Sequence, residues 1–508
     1  MMLGDILAEA ADRWGDRTAL TVDDRQFGFR ALHLETNRLA HGLIQTAGLQ
    51  TGDRVVILLD NCWQAVVSYH AVAKAGAIAI PCNTRQTRSE LQFMLGDSGT
   101  RLVITSTAHL SKIEAIRSSL PALTSVICVD GESEQAISWS ACTEGMPERD
   151  LPSRVRSDDV AFIAYTSGTT GRPKGAMLTH GGYLANLESI HRAIPFYPSD
   201  NVLIMLPHFH IFPLTLGLFY ALREGAQIVL TEIGRSFEKL VHLIAQHRIT
   251  ILPAVPPIFH ILVSKRIPGV KAALSSLRMA ISGGAALTPA TWEKFERTFG
   301  VPLLEAYGMT EGGPLICINR MEGPRKPGSV GLPIPGVEVD ILDPQGRRLP
   351  PGEIGEIAVK SPGVLKGYYH HPEATREALR QGWLLTGDMG LRDAEGYVYI
   401  VDRKKDVIVV QGINVYPKEI EDVLSRHPAV MEAAVIGEKR GGSEIPVALV
   451  TLRPGLTVTG KEILEHCRQH LAPFKVPRRV HIVSELPKTP LGKVQKQELQ
   501  RVLAGSRD

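Results

Sequence analysis

Between about residues 53 and 310, short runs of apolar, often β-branched residues alternate with stretches of helical periodicity. "DRVVILLD" precedes "CWQAVVSYHAVAKAG", and "AIAIPC" precedes "SELQFMLGDSG"; "RLVITS", "SVICVD", "VAFIAY", "NVLIMLP", "AQIVLTE", "ITILPAV" and "LRMAISG" continue the series. A strand that is apolar at every position must be covered on both faces, so the alternation predicts parallel sheets flanked by helices. Near residue 325 the pattern changes to short alternating runs rich in Gly and Pro, with turns such as "DPQG". That stretch, about 325–400, reads as a small β-barrel subdomain. The charged segment "DRKKD" (402–406) then looks like a hinge. Beyond it, "PKEIEDVLSRH" has Pro417 in the first helical position, acids in the first turn and Pro428 as a stop. Strands "AVMEAAVIG", "VALVTL" and "RRVHIV" follow, with a helix opened by Thr459 and Glu462 as a capping box. The expected fold class is α/β: a large N-terminal domain, 1–401, a hinge at 402–406, and a small mobile α+β C-terminal domain, 407–508.

Bulk properties narrow the function. A chain of 508 residues is too long for one core. Its formal charge of +3 is near balance, which leaves no electrostatic footprint for nucleic acid. Six scattered cysteines without a C-x-x-C argue against a disulfide scaffold or zinc site and fit a reducing cytoplasm. The N-terminus is charged throughout, unlike a signal peptide. The longest apolar run, "IFPLTLGLFYAL" (211–222), is too short to span a bilayer and is expected as a buried helix.

One loop follows the strand "VAFIAY" at its C-terminal end, where α/β sheets place ligands. It reads "YTSGTTGRPKG" (165–175) and carries the hydroxyls of Thr166, Ser167, Thr169 and Thr170, the glycines Gly168 and Gly171, and Lys174. Against the Walker pattern G-x-x-x-x-G-K-[ST] it fails twice, because Pro173 replaces the second glycine and Gly175 the metal-binding hydroxyl. Proline has no N–H to give a phosphate oxygen, and the Walker loop works by converging backbone N–H groups. A hydroxyl-lined grip on a polyphosphate is one reading. A polar surface turn is the other, since Gly, Ser and Thr cluster in loops.

Further stretches bear on that choice. "ISGGAAL" (281–287) ends a strand with two glycines, and "YGMTEGG" (307–313) ends another with an aromatic, a hydroxyl and a carboxylate. "WLLTGDMG" (383–390) offers an acid on a Gly-flanked turn, and "PKTPLGKVQK" (487–496) puts Lys493 on a Gly-preceded loop. With these in order, the chain resembles the adenylate-forming superfamily: acyl-CoA synthetases, firefly luciferase and the adenylation domains of nonribosomal peptide synthetases. It looks most similar to medium- and long-chain fatty acyl-CoA ligases, through "YTSGTTGRPKGAMLTH" and "VDRKKDVI". Taken singly, Tyr307 could be a core aromatic, Asp388 a turn residue, and Arg403 with Lys404 and Lys405 a solvated charge run. Jointly those plain readings are poor, because the motifs fall in one family's order along essentially the whole chain.

The resemblance implies a role for each position. The 166–174 loop (Thr166, Ser167, Gly168, Thr169, Thr170, Gly171, Lys174) would hold the β- and γ-phosphates of ATP, with Thr166 and Glu311 on Mg²⁺. Tyr307 would stack on adenine, with Gly283, Gly284 and Ala285 on its other face and Gly308 and Thr310 beside the nucleotide. Asp388 would accept the ribose hydroxyls, Arg403 would contact ribose and phosphate, and Lys493 would bridge the acyl carboxylate and α-phosphate. Lys405 would be the hinge pivot and Gly412 would face the CoA tunnel. His210, Gly308 and Met309 would line the acyl pocket, His210 as a gate. His208 and His210 in "LPHFHIF" lack a third ligand at plausible spacing for a metal, and His180 reads as structural.

The expected activity is an AMP-forming ligase joining a carboxylic acid to coenzyme A, with ATP and Mg²⁺ as cofactors. Residues 207–222 contain no Asp or Glu to pair an α-ammonium, so the acid is expected to lack an amine and to be a medium- or long-chain fatty acid. An aryl-CoA ligase and a fatty acyl-AMP ligase loading an acyl carrier protein stay open, although no extra segment appears between 325 and 400. A catalytically dead nucleotide-binding protein is a further class, opposed by the intact Lys493, Glu311 and Asp388. The expected partners are the acid and CoA, without nucleic acid or a transmembrane segment, in the cytoplasm; a homodimer stays open.

Overall fold

A computed structural model describes the chain except for residues 167–171, 233–235, 266, 411–412, 441–442, 489–493 and 506–508. The apolar runs do form parallel sheets. Strands Arg54–Leu58, Ile78–Pro81, Leu102–Thr105 and Ser125–Cys128 pair in parallel, and Val160–Thr166 joins Ile78–Pro81 in the same sense. Val55–Leu58 and Leu102–Ile104 are wholly buried, as strands covered on both faces must be. The sheet then turns antiparallel: Lys174–Thr179 folds back on Val160–Thr166, and Gly367–Tyr368, from far along the chain, adds to its outer side.

The second sheet has nine strands with a parallel centre of Asn201–Ile204, Gln227–Leu230, Ile251–Ala254, Met279–Ser282 and Leu303–Tyr307. It also recruits Thr18–Val22, which lies ahead of the 53–310 alternation. Five strands between Glu338 and Arg403, from two to ten residues long, form one further sheet where the β subdomain was expected.

The run 211–222 is the buried helix expected, but its winding is unusual. Ile211–Pro213 makes a short α turn, and Leu214–Ala221 continues as a π-helix, with every one of its residues buried. An element apolar on all sides carries no periodicity from which its winding could be read. Gly217 belongs there because a Cβ would come within 2.7 Å of the Ile204 side chain.

The chain divides into two compact units, Met1–Val339 with Val359–Leu385, and Asp340–Ala358 with Thr386–Asp508. In the second, Val430–Arg440, Ser443–Leu452 and Arg479–Ile482 form a sheet with helices Pro417–Ser425 and Gly460–His470 beside it. The predicted caps are present. Pro417 opens its helix, and Thr459 Oγ1 accepts from Glu462 N at 3.3 Å while Glu462 Oε2 accepts from Thr459 N at 2.7 Å. Among the described residues no helix is long and apolar enough to cross a membrane.

Candidate active site

In the first unit, Thr166 ends one strand and Lys174 begins the next, and the two are direct partners across the hairpin. The intervening Ser167, Gly168, Thr169, Thr170 and Gly171 lie outside the described residues. Glu311 sits in the single 3₁₀ turn Thr310–Gly312, shortly after the strand that ends at Tyr307. Its carboxylate is buried and reaches the hairpin: Thr166 Oγ1 donates to Glu311 Oε1 at 2.9 Å. The family resemblance implies that these two residues share one Mg²⁺, and the fold brings their side chains together.

A third residue joins them that the sequence motifs did not single out. The Tyr368 hydroxyl donates to the same Glu311 Oε1 at 3.0 Å, and Lys174 Nζ lies 5.7 Å from the centre of its ring. Burial, then the neighbouring Glu311 charge, pushes the Tyr368 phenol well above its ordinary pKa, so the hydroxyl stays a donor. No local spacing ties Tyr368 to Glu311. The pairing of Gly367–Tyr368 with Lys174–Thr179 brings it there.

The glycines around this cluster answer to close packing. A Cβ at Gly308 would lie 1.9 Å from Pro314 O, and one at Gly313, whose φ is +83°, would lie 2.4 Å from the Gly363 backbone. Gly283 presses against Phe212, whose ring a Cβ would meet at 3.2 Å, and Gly284 takes a φ of +82° that favours glycine. Gly283 is thus buried against Phe212, Gly284 is exposed and Ala285 half-buried. Tyr307 is buried, while Met309 and Thr310 are half-buried on the turn.

The two histidines of "LPHFHIF" differ. His208 is fully buried and engaged, with Nδ1 3.0 Å from the Tyr69 hydroxyl and Nε2 3.3 Å from Asp60 O. His210 is half-buried at the start of the 211–213 turn, and its buried Nε2 has no hydrogen-bond partner among the described residues. Burial, helped by His208, pushes the His210 pKa down to about 4, so the ring is neutral at pH 7 and offers no cation. His180 begins the helix His180–Ala193, wholly buried, and burial takes its pKa to about 4.

In the second unit, Asp388 and Arg403 face each other across paired strands Trp383–Arg392 and Val398–Arg403. Arg403 Nε is 2.6 Å from Asp388 Oδ1, so two positions assigned separate contacts form one ion pair. The preceding Gly387 has φ +72° and its N–H donates to Glu356 Oε1 at 3.1 Å; Glu356 Oε2 in turn pairs with Lys404 Nζ at 2.7 Å. Lys405 lies exposed in the 3₁₀ turn Lys404–Asp406. Asp402 accepts from Arg403 N and Lys418 N, both at 2.8 Å, which ties the segment to the start of the Pro417–Ser425 helix. Gly412 and Lys493 lie outside the described residues.

A divalent cation fits the first cluster on donor chemistry. A hydroxyl and a buried carboxylate meet there, and both hydrogen bonds to the carboxylate fall on Oε1. Oε2 is left without a hydrogen-bond partner among the described residues. Oxygen donors of this kind, with one carboxylate and the remainder from substrate phosphates, suit Mg²⁺.

Comparison with known proteins bears on the family and the fold. Residues 7–369 match the AMP-binding enzyme family, and residues 419–493 its C-terminal domain. A long-chain-fatty-acid–CoA ligase of Bacillus subtilis (strain 168) is 35% identical over 98% of this chain and 94% of its own. An oxalate–CoA ligase of Arabidopsis thaliana is also 35% identical, over 97% of each chain. The crystal structure of ATP-bound MatB from Rhodopseudomonas palustris superimposes with a TM-score of 0.91 at 33% identity, covering 99% of both chains. Matched along nearly its whole length, the chain belongs to the AMP-binding, adenylate-forming enzyme family.

Proposed function

We propose that the protein activates an uncharged-tail monocarboxylic acid, a medium- or long-chain fatty acid, as acyl-AMP and passes the acyl group to coenzyme A. The acid's carboxylate oxygen attacks the α-phosphorus of ATP and pyrophosphate leaves; the CoA thiol then attacks the acyl carbonyl and AMP leaves. The observation that carries the reading is the convergence of Thr166 and Tyr368 on Glu311, with Lys174 over the Tyr368 ring. Both the nucleophile and the triphosphate are anionic, so positioning and charge neutralisation must supply the catalysis. Thr166 and Glu311 would hold Mg²⁺, which when bound neutralises the phosphates. Lys174 would steady the departing pyrophosphate. Asp388 would receive the ribose hydroxyls and Arg403, already anchored on it, the ribose–phosphate edge.

The relatives span a long-chain fatty acid and oxalate at the same identity, so identity alone does not choose the acid. The acyl side does. Residues 207–222 contain no charged residue, His210 is neutral, and the π-helix 214–221 is wholly buried. An ammonium or a second carboxylate there would lie without a counter-charge from this segment, at a cost of several kcal/mol, on the order of 2–7 for even a neutral polar group. Coenzyme A is favoured over a carrier protein because residues 325–400 carry no added segment. Segment 402–406 is read as the hinge between domains 1–401 and 407–508, with the protein in the cytoplasm.

Two results test this. With a fatty acid, ATP turnover is expected to yield AMP and pyrophosphate, and to stop when the acid is omitted. ADP with free phosphate as main products would rule the reading out. In a pyrophosphate-release screen, octanoate and palmitate are expected to outperform glycine, phenylalanine and oxalate by at least tenfold, which needs only about 1.4 kcal/mol of discrimination. A preference for any charged-tail acid would overturn the substrate assignment.

A further inference from the structure

We infer that Tyr368 is a positioning residue for the metal-binding carboxylate: its hydroxyl fixes Glu311 in one orientation while its ring backs the Lys174 ammonium. The inference rests on the reading above that Glu311 holds the divalent cation.

A glutamate carboxyl turns easily about its last carbon–carbon bond, whose torsional wells are broad. One donor leaves that rotation soft, and two donors on one oxygen restrain it. Thr166 and Tyr368 both donate to Oε1, at 2.9 and 3.0 Å, so Oε2 is presented without a partner among the described residues. The two donors come from opposite directions in the chain: Thr166 from the hairpin, Tyr368 from a strand added much later.

The segment carrying Tyr368 is itself held on two sides. Leu365 N donates to Glu311 O at 2.9 Å, so the same segment binds the backbone and side chain of Glu311. On the other side Lys366 N donates to Met177 O and Tyr369 N to Gly175 O, both at 2.8 Å, which sets the register on the strand that begins at Lys174. Tyr368 N donates to Thr375 Oγ1 at 2.8 Å. Gly313 and Gly363 pack so closely that a Cβ at Gly313 would lie 2.4 Å from the Gly363 backbone. Residues 363–369 therefore act as a strap across the turn 310–313. A tyrosine serving only as core filler would need no hydroxyl here; a Phe would fill the same space.

Tyr368→Phe keeps the ring and removes the hydroxyl. Mn²⁺ titrated into the enzyme with an α,β-methylene ATP analogue, read by water-proton relaxation, reports the protein-bound cation without turnover. The expected result for Tyr368→Phe is about tenfold weaker Mn²⁺ binding, the lower end of what loss of a metal ligand's partner causes. Its thermal midpoint should stay within about 2 °C of wild type, since no packing is lost. Tyr368→Leu repeats the hydroxyl loss and also removes the ring from Lys174, so pyrophosphate should bind several-fold more weakly to it than to Tyr368→Phe. Glu311→Gln is the control. If Glu311→Gln binds Mn²⁺ like wild type, the metal role of Glu311 fails and this inference with it. If Glu311→Gln loses Mn²⁺ while Tyr368→Phe and Tyr368→Leu retain wild-type affinity, the metal role stands and the inference about Tyr368 alone is overturned.

Discussion

Lys493→Ala is expected to slow acyl-AMP formation by about two to three orders of magnitude while leaving thioester formation from supplied acyl-AMP and CoA near wild type. The ammonium of lysine is a compact charge, suited to the pentavalent centre at the α-phosphorus and to the carboxylate that attacks it. Lys493 itself lies outside the described residues, but both flanks of its loop are pinned within the second unit. Lys488 bridges to Val494, Gln495 N donates to Pro487 O at 2.8 Å, and Lys496 Nζ pairs with Glu421 at 2.8 Å. The described residues on both sides of it are therefore held to the segment that follows residue 406. If residues 407–508 turn about a hinge at 402–406 between half-reactions, an ordinary class of motion, Lys493 would serve the first and be absent from the second. Gly412→Leu should show the opposite split, crowding the path of the CoA arm and sparing pyrophosphate release. Rapid-quench measurement of each half-reaction separates the cases. Equal slowing of both by Lys493→Ala would end the alternation account and leave the adenylation chemistry standing.

What the sequence made legible, and what it did not, follows from where each signal resides. Parallel sheets were readable because Val55–Leu58 and Leu102–Ile104 are apolar at every position, and full burial on both faces demands that. The helix caps at Pro417 and Thr459 were readable because capping chemistry is local. The π-helix at 214–221 was not, because a fully buried run carries no period. Thr166 and Glu311 could be paired only through the family's motifs; nothing in their spacing places them 2.9 Å apart. The Asp388–Arg403 pair depends on strand register. Tyr368 was missed for the same reason: its partners Glu311 and Lys174 lie far off in sequence, and "KGYYH" reads as an ordinary strand end.

Glu311→Gln is expected to lower turnover at least about a hundredfold with little change in stability, and the hydrogen bonds explain why the two effects separate. Glutamine is nearly isosteric, and its carbonyl oxygen can accept from both Thr166 and Tyr368 as Glu311 Oε1 does. The fold around the turn is then retained, and the thermal midpoint should move by no more than about 2 °C. The position of Oε2, which has no hydrogen-bond partner among the described residues, becomes an NH₂ group. That group carries no charge and presents hydrogens to a cation, so on the proposed reading metal-dependent neutralisation of the phosphates should be lost. Raising Mg²⁺ should restore only part of the activity, because the ligand itself has changed. Glu311→Ala mixes the two effects: the hydroxyls of Thr166 and Tyr368 lose their acceptor in a half-buried place, costing roughly 1–3 kcal/mol each. Turnover at saturating Mg²⁺, with thermal unfolding of both variants, distinguishes these outcomes. A Gln variant as active as wild type would show that Glu311 serves only to satisfy its two hydroxyl donors.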